Sequence, residues 1–214
     1  RVSVRLGAQE DTMVMFEADA QPEVEVDTEL DTSVVWLGPD SASVLAGEPT
    51  LAFEVLGRRF QVSPGSFFQV NCVMAGELVA RVLDALAVRP DKNAMDLYAG
   101  VGLFSLFLAE AGAQVMAVES SATACEDFQV NLEAYGDVSL YQASVEEALP
   151  ALGVNPDAAV VDPPRAGLGP RAIDGLLQLG PDRLAYVSCD PATLARDARR
   201  LVEGGYRLES VTPL

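Results

Sequence analysis

Cys189 stands in the stretch YVSCDPATLARD at 186–197, between an apolar run and a helix-like pattern, where a thiol is a candidate nucleophile. Asp190 is a good helix N-cap and Pro191 suits the first helical position, so a helix is predicted to open directly after Cys189. The partial positive charge at that helix end favours the thiolate, the form that attacks electrophilic carbon. An inert, buried thiol is the usual alternative for a strand-end cysteine, and Cys72 and Cys125, each inside a helical pattern, are read that way. Asp162 and Arg165 form a second candidate pair in VVDPPRAG at 160–167. Its two prolines make a stiff, extended corner with few free N–H groups, which fixes both side chains.

A third constellation is DLYAGVGLF at 96–104, where Gly100 and Gly102 let the backbone approach a ligand closely. Seventeen residues after Gly102 comes Glu119, a carboxylate able to accept hydrogen bonds from both hydroxyls of a ribose. Ser105 replaces the third glycine of G-x-G-x-x-G, so the dinucleotide fingerprint fails. A tight strand-to-helix turn with no ligand stays open as a reading of the two glycines alone.

Composition excludes several chemistries. The chain has no histidine, which removes Ser-His-Asp catalysis, Cys-His proteolysis and histidine-ligated metals within it. Acid–base work falls to carboxylates, Tyr, Cys and the single Lys92. Three cysteines without metal-like spacing argue for a reducing compartment, the cytoplasm, and against a disulfide framework or zinc site. The net charge is −18, and EADAQPEVEVDTELD at 17–31 carries seven acids and no base. Such a balance disfavours free-standing nucleic-acid binding, although arginines at 58, 59, 165, 171, 196, 199 and 200 offer a local basic face. No apolar run is long enough to span a bilayer. The chain begins without Met and ends in ESVTPL, the look of a fragment.

To converge, these residues must sit on elements that bring their loops together. Residues 1–62 read as short alternating strands, a β-rich accessory segment, with a hairpin in RVSVRLG and TMVMFEA. From residue 63 to 214 helical and strand patterns alternate. A helix is expected in VMAGELVARVLDALA, followed by strands at 93–98, 114–119, 138–142, 157–162, 183–188 and 206–211. Helices at 102–112, 121–135, 144–149, 170–179 and 191–203 fall between them. That order predicts an α/β, doubly wound, mostly parallel sheet whose ligands lie beyond the carboxyl ends of the strands.

Four segments, SPGSFFQVN at 63–71, DLYAGVGLF, VVDPPRAG and YVSCDPATLARD, together resemble the RNA uracil-5 methyltransferase family in the family's order. The resemblance covers residues 63 to about 211 and implies a Rossmann-like class I methyltransferase domain. It further implies that S-adenosyl-L-methionine is the cofactor and that the substrate is a uridine in rRNA or tRNA. By the resemblance Gln69, Tyr98, Glu119 and Asp162 contact the cofactor, together with Gly100 and Gly102 of the glycine turn. Ser144, where some members carry Asn, joins this set, and Leu103 stands at a position often polar in the family. Cys189 is the implied nucleophile, and Arg165, where amine methyltransferases place an aromatic, is left to the RNA backbone or the base carbonyls. The family's general base, a Glu, belongs to a segment after the last strand, beyond Leu214, and neither an iron–sulfur cysteine cluster nor a small N-terminal RNA-binding barrel is recognised. A monomer without metal is expected. A methyltransferase with another acceptor, and a non-catalytic domain that holds cofactor or RNA, are the alternative functions.

Overall fold

The computed structural model describes residues 1–8, 11–21, 32–39 and 41–214. Most of the acidic stretch at 17–31 therefore lies outside the described residues. In the N-terminal part β1 (Val2–Leu6) and β2 (Thr12–Glu17) pair antiparallel, as their alternation predicts. Strand β3 (Thr32–Leu37) runs parallel to β2, and β4 (Ala42–Ala46) closes this four-stranded sheet. A separate hairpin follows, β5 (Leu51–Val55) and β6 (Arg58–Val62), turned by Leu56 and Gly57, both at positive φ. Phe53 and Phe60 project from this hairpin onto Phe68, with ring centroids 4.9 and 5.5 Å away. Phe60 also meets Phe107 of the following domain at 6.3 Å.

Helix α1 (Cys72–Leu86) starts the alternating region, with Asn71 as N-cap, and β7 (Asn93–Leu97) is the first strand of a five-stranded parallel sheet. There follow α2 (Leu103–Glu110), β8 (Gln114–Glu119), α3 (Ala122–Asn131), β9 (Val138–Gln142), and α4 (Val145–Ala148) with a 3-10 turn at Leu149–Ala151. Then come β10 (Ala158–Val161), α5 (Pro170–Leu179), β11 (Arg183–Tyr186) and α6 (Pro191–Glu203). The strand order is β11-β10-β7-β8-β9, so the chain starts at the centre, winds outward through β9, then returns to the other side of β7. This is the doubly wound α/β architecture that the alternation predicts.

Burial explains the pattern. Every residue of β10 is buried, whereas the edge strand β9 exposes Ser139, Tyr141 and Gln142. Ala94, Ala158 and Val160 face a core shared with α1, α2 and α3, while Met95, Leu97, Ala159 and Val161 face one shared with α4, α5 and α6. The N-terminal hairpin adds Phe53, Val55, Phe60 and Val62 to the first of these cores.

Three expectations need correction. Residues 206–211 form no strand: Tyr206 folds back, its N–H donating to Leu201 O and its hydroxyl to Pro181 O. Leu208 and Val211 are exposed, because the segment does not pair with β11 at the sheet's edge. Helix α3 stops at Asn131 rather than 135, where the chain turns so that Leu132 packs beneath the glycine loop. The short helix at 144–149 divides into α4 and the 3-10 turn, which carries Pro150.

Candidate active site

The turn after β7 passes through three left-handed residues in five: Tyr98 (φ 63°), Gly100 (φ 55°) and Gly102 (φ 95°). The two glycines serve different ends. A side chain at Gly100 would meet nothing within 4 Å, so the turn there is open to a ligand, and only the backbone conformation demands glycine. A side chain at Gly102 would run into Leu132 and Phe128 of the α3 region. Tyr98 takes the left-handed conformation without glycine's freedom, a strain of roughly 1–2 kcal/mol of the kind that clusters at functional sites. Its hydroxyl lies 3.4 Å from Glu146 Oε1.

Glu119 closes β8 and grips the same turn. Its Oε2 accepts from Gly100 N (2.9 Å), and its Oε1 accepts from Ser120 N (2.8 Å) and Ser121 N (2.7 Å). The carboxylate keeps lone pairs beyond these three bonds. Beneath the turn Asp96 is wholly buried, its Oδ2 accepting from the N–H and hydroxyl of Ser105 at 2.9 and 2.6 Å. Its Oδ1 has no partner among the described residues. Burial, with the nearby Asp162 and Glu119 charges, pushes Asp96 up to about 7. Ser105, notable in the sequence only as a missing glycine, is the side chain that holds Asp96.

Helix α3 staples two loops at once through residues one turn apart. Asp127 accepts from Ser63 N (2.8 Å), Ser63 Oγ (2.7 Å) and Ser66 Oγ (2.5 Å), fixing the start of the loop that carries Gln69. Arg5 of β1 donates to the carbonyls of Ser63 and Ser66 from the other side, at 3.3 and 3.0 Å. Asn131 exchanges bonds with the backbone of Gln61 (2.7 and 3.0 Å) and donates to Val101 O in the glycine turn (3.0 Å). Sequence reasoning missed Asp96, Asp127 and Asn131. The available signals were an acid inside the apolar run of β7 and a polar pair at i, i+4 on a helix whose other contacts are apolar.

On the other side of β7, Asp162 follows β10 and donates its N–H to Leu97 O at 3.2 Å, which marks the crossing point of the sheet. Burial raises its carboxyl to about 6. Arg165 is exposed and forms no ion pair among the described residues, and it lies close enough to Asp190 to help depress that carboxyl. Of the other arginines suggested as a basic face, Arg58 pairs with Glu110, Arg196 with Asp197, Arg199 with Glu203 and Arg200 with Asp174. The face is thus largely neutralised within the chain.

Cys189 is exposed, Cys125 is buried with its thiol 3.5 Å from Glu119 O, and Cys72 is intermediate as the first residue of α1. Burial and the Glu119 charge push the Cys125 thiol up, away from reactivity. Asp190 caps α6 as expected, accepting from Ala192 N and Thr193 N, both at 2.9 Å. The first N–H donors of α6 are therefore engaged by the Asp190 carboxylate. Parallel pairing of β10 with β11 and the bond from Val187 N to Val161 O (2.9 Å) bring the Cys189 turn alongside Asp162. Gln69 is half-buried, and Ser144 donates its hydroxyl to Glu147 at 2.6 Å.

A five-stranded sheet in this order, whose first turn opens at Gly100 beside a carboxylate on the next strand, is the Rossmann-like fold of class I methyltransferase domains. Residues 50–211 match the tRNA (Uracil-5-)-methyltransferase family, and the chain belongs to that family. An uncharacterised RNA methyltransferase of Streptomyces coelicolor is 40% identical over 196 residues, covering 89% of this chain and 42% of the relative. One of Thermotoga maritima is 36% identical over 183 residues, covering 85% and 41%. The chain thus spans about two fifths of the length of these curated relatives. Among solved structures, the Pyrococcus abyssi tRNA (uracil-54, C5)-methyltransferase in complex with S-adenosyl-L-homocysteine superimposes with a TM-score of 0.75 at 31% identity. It covers 94% of this chain and 52% of that one. The fold alone is shared with precorrin-6y C5,15-methyltransferase of Geobacter metallireducens, at TM-score 0.59 and 20% identity over 70% of this chain and 78% of that one.

The residues fit the cofactor. The open face of Gly100 admits a ligand against the backbone, Glu119 retains acceptor capacity for ribose hydroxyls, and Asp96 Oδ1, without a partner among the described residues, lies buried beneath the turn.

Proposed function

We propose that this chain is the catalytic core of an enzyme that methylates carbon 5 of a uridine in rRNA or tRNA through covalent addition of Cys189. The observation that carries the reading is the exposure of Cys189, beside Asp162 at the carboxyl edge of the sheet, while Cys125 is buried. Glu119 would hold the ribose of S-adenosylmethionine, with Gln69, Tyr98, Gly100, Gly102, Ser144 and Asp162 around the rest of it. The bound cofactor supplies an electrophilic methyl group on a sulfonium.

Carbon 5 of uracil is a weak nucleophile until the Cys189 thiolate bonds to carbon 6. The π pair of the C5–C6 bond then forms a C4–C5 double bond as the C4 carbonyl pair moves onto oxygen, giving an enolate whose carbon 5 takes the methyl as the S–CH3 bond breaks and S-adenosylhomocysteine leaves. Arg165, exposed and in no ion pair among the described residues, would hold the RNA backbone or a base carbonyl. Removal of the proton at carbon 5 restores the double bond and expels the thiolate. RNA as substrate and three unpaired thiols suit the cytoplasm.

Incubation with 5-fluorouridine RNA and cofactor tests the reading, because fluorine cannot leave as a proton does and the adduct persists. A stable methylated adduct on Cys189, seen by peptide mass spectrometry, is expected; no adduct, or one on Cys72, overturns it.

A further inference from the structure

Asp197 lies two turns into α6 and is completely buried, yet its bonds leave the helix in two directions. Its Oδ2 accepts from Leu168 N and from the Tyr186 hydroxyl, both at 2.7 Å, and its Oδ1 accepts from Arg196 Nε at 2.8 Å. Arg196 in turn donates Nη2 to Ala166 O at 2.8 Å. The Arg196–Asp197 pair therefore grips the chain on both sides of Gly167. That glycine has φ 74°, and a side chain there would collide with Asp197 Oδ2 and Arg196 Nη2, so the corner lies flush on the pair.

The connected segments are those of the substrate side. Tyr186 ends β11 three residues before Cys189, α6 begins two residues after it, and Ala166 and Leu168 continue the corner past Arg165, while Asp162 at the corner's start is held on the sheet by its N–H bond to Leu97 O. A carboxylate taken wholly out of water is costly, and an apolar side chain packs such a position as well or better for stability. What the carboxylate provides instead is direction: three donors from three segments, fixed about one point. None of these bonds reaches the glycine turn or the Gln69 loop, which Glu119, Asp127 and Asn131 hold separately.

We propose that Asp197, with Arg196 and Tyr186, is a positioning residue that sets the Arg165 corner in register with Cys189, so that a docked uridine meets the thiolate at carbon 6. The inference rests on the reading of Cys189 as nucleophile. Asp197→Asn removes the charge and turns an N–H₂ toward one of its donors, and Tyr186→Phe deletes a single hydroxyl from the same cluster. Three measurements are made on wild type and both variants: calorimetric affinity for S-adenosylhomocysteine, the rate of Cys189 adduct formation with 5-fluorouridine RNA, and backbone hydrogen exchange. Asp197→Asn is expected to keep cofactor affinity within about twofold and to slow adduct formation at least tenfold, with Tyr186→Phe slowing it about threefold. Exchange should rise together at 165–168 and 187–190 and stay unchanged at 98–102. Unchanged adduct rates in both variants, or a parallel loss of cofactor affinity, overturn the proposal. Absence of adduct in the wild type overturns the nucleophile reading instead, and positioning is then decided by exchange: a rise confined to one segment, or spread to the glycine turn, refutes it.

Discussion

The two sides of the crevice are built on opposite plans. On the cofactor side the polar groups are already engaged: Glu119 binds three backbone N–H groups, Asp127 takes three donors from Ser63 and Ser66, and Asn131 ties Gln61 to Val101. On the substrate side Cys189 and Arg165 stand exposed, and the order beneath them comes from the buried Asp197. Under the proposed function the contrast follows from the ligands. A small molecule gains affinity from a site rigid before it arrives, because less freedom is lost on binding. A large RNA needs its reactive groups accessible, so the support is placed below the surface.

The largest break in this comparison comes from Cys189→Ala. Loss of the thiol is expected to abolish the adduct with 5-fluorouridine RNA while calorimetry finds cofactor affinity within about twofold of wild type. A matching loss of cofactor binding would show that the two sides are not separable.

Asp127→Ala should produce the reverse pattern. Three donors lose their acceptor in a buried place, a cost of about 2–4 kcal/mol, and the Gln69 loop loses one of its two anchors while Arg5 keeps the other. The urea midpoint should fall accordingly and the affinity for S-adenosylhomocysteine should drop. Exchange at 165–168 should not change. An unaltered midpoint would mean that Arg5 alone holds the loop.

What the sequence disclosed divides along similar lines. Helices α5 and α6 begin and end where their patterns predict, because Pro170 and Pro191 open them and Gly180 and Gly204 follow them, all local signals. The parallel sheet was legible for the same reason. The apparent strand at 206–211 failed because alternation says nothing about whether a neighbouring edge pairs with it. Asp127, Asn131 and Asp197 escaped notice since each acts on residues far along the chain: Ser63 for Asp127, Gln61 for Asn131, Leu168 for Asp197. Asp190 was legible as a cap for the same local reason, and its carboxylate does accept from Ala192 N and Thr193 N.

Glu119→Ala sharpens the cofactor side further. The substitution removes both an acceptor for the ribose and the bridge from β8 to Gly100, and loss of a charge-assisted hydrogen bond costs about 1.5–3 kcal/mol. Cofactor affinity should fall at least tenfold. Equal affinities in calorimetry would remove Glu119 from the site and leave its three backbone bonds as a purely structural clasp.

The smallest expected effect is a pH dependence of the cofactor side alone. Burial raises Asp162 to about 6, so in the cofactor-free chain it is largely neutral at pH 5 and ionised at pH 8. A raised carboxyl binds its proton more tightly folded than unfolded. Its contribution to stability therefore declines as pH rises from about 4 through 6 and is constant above that. Asp96, raised to about 7, extends the same decline upward. A cationic ligand favours the ionised forms, so S-adenosylmethionine should release protons on binding between pH 5 and 7. Its affinity should rise severalfold over that interval relative to S-adenosylhomocysteine, which lacks the sulfonium charge. Asp162→Asn should reduce the rise and leave the remainder that Asp96 supplies. Calorimetry in buffers of different ionisation enthalpy reads the proton release directly, and equal pH profiles for the two ligands would place the sulfonium away from both carboxylates.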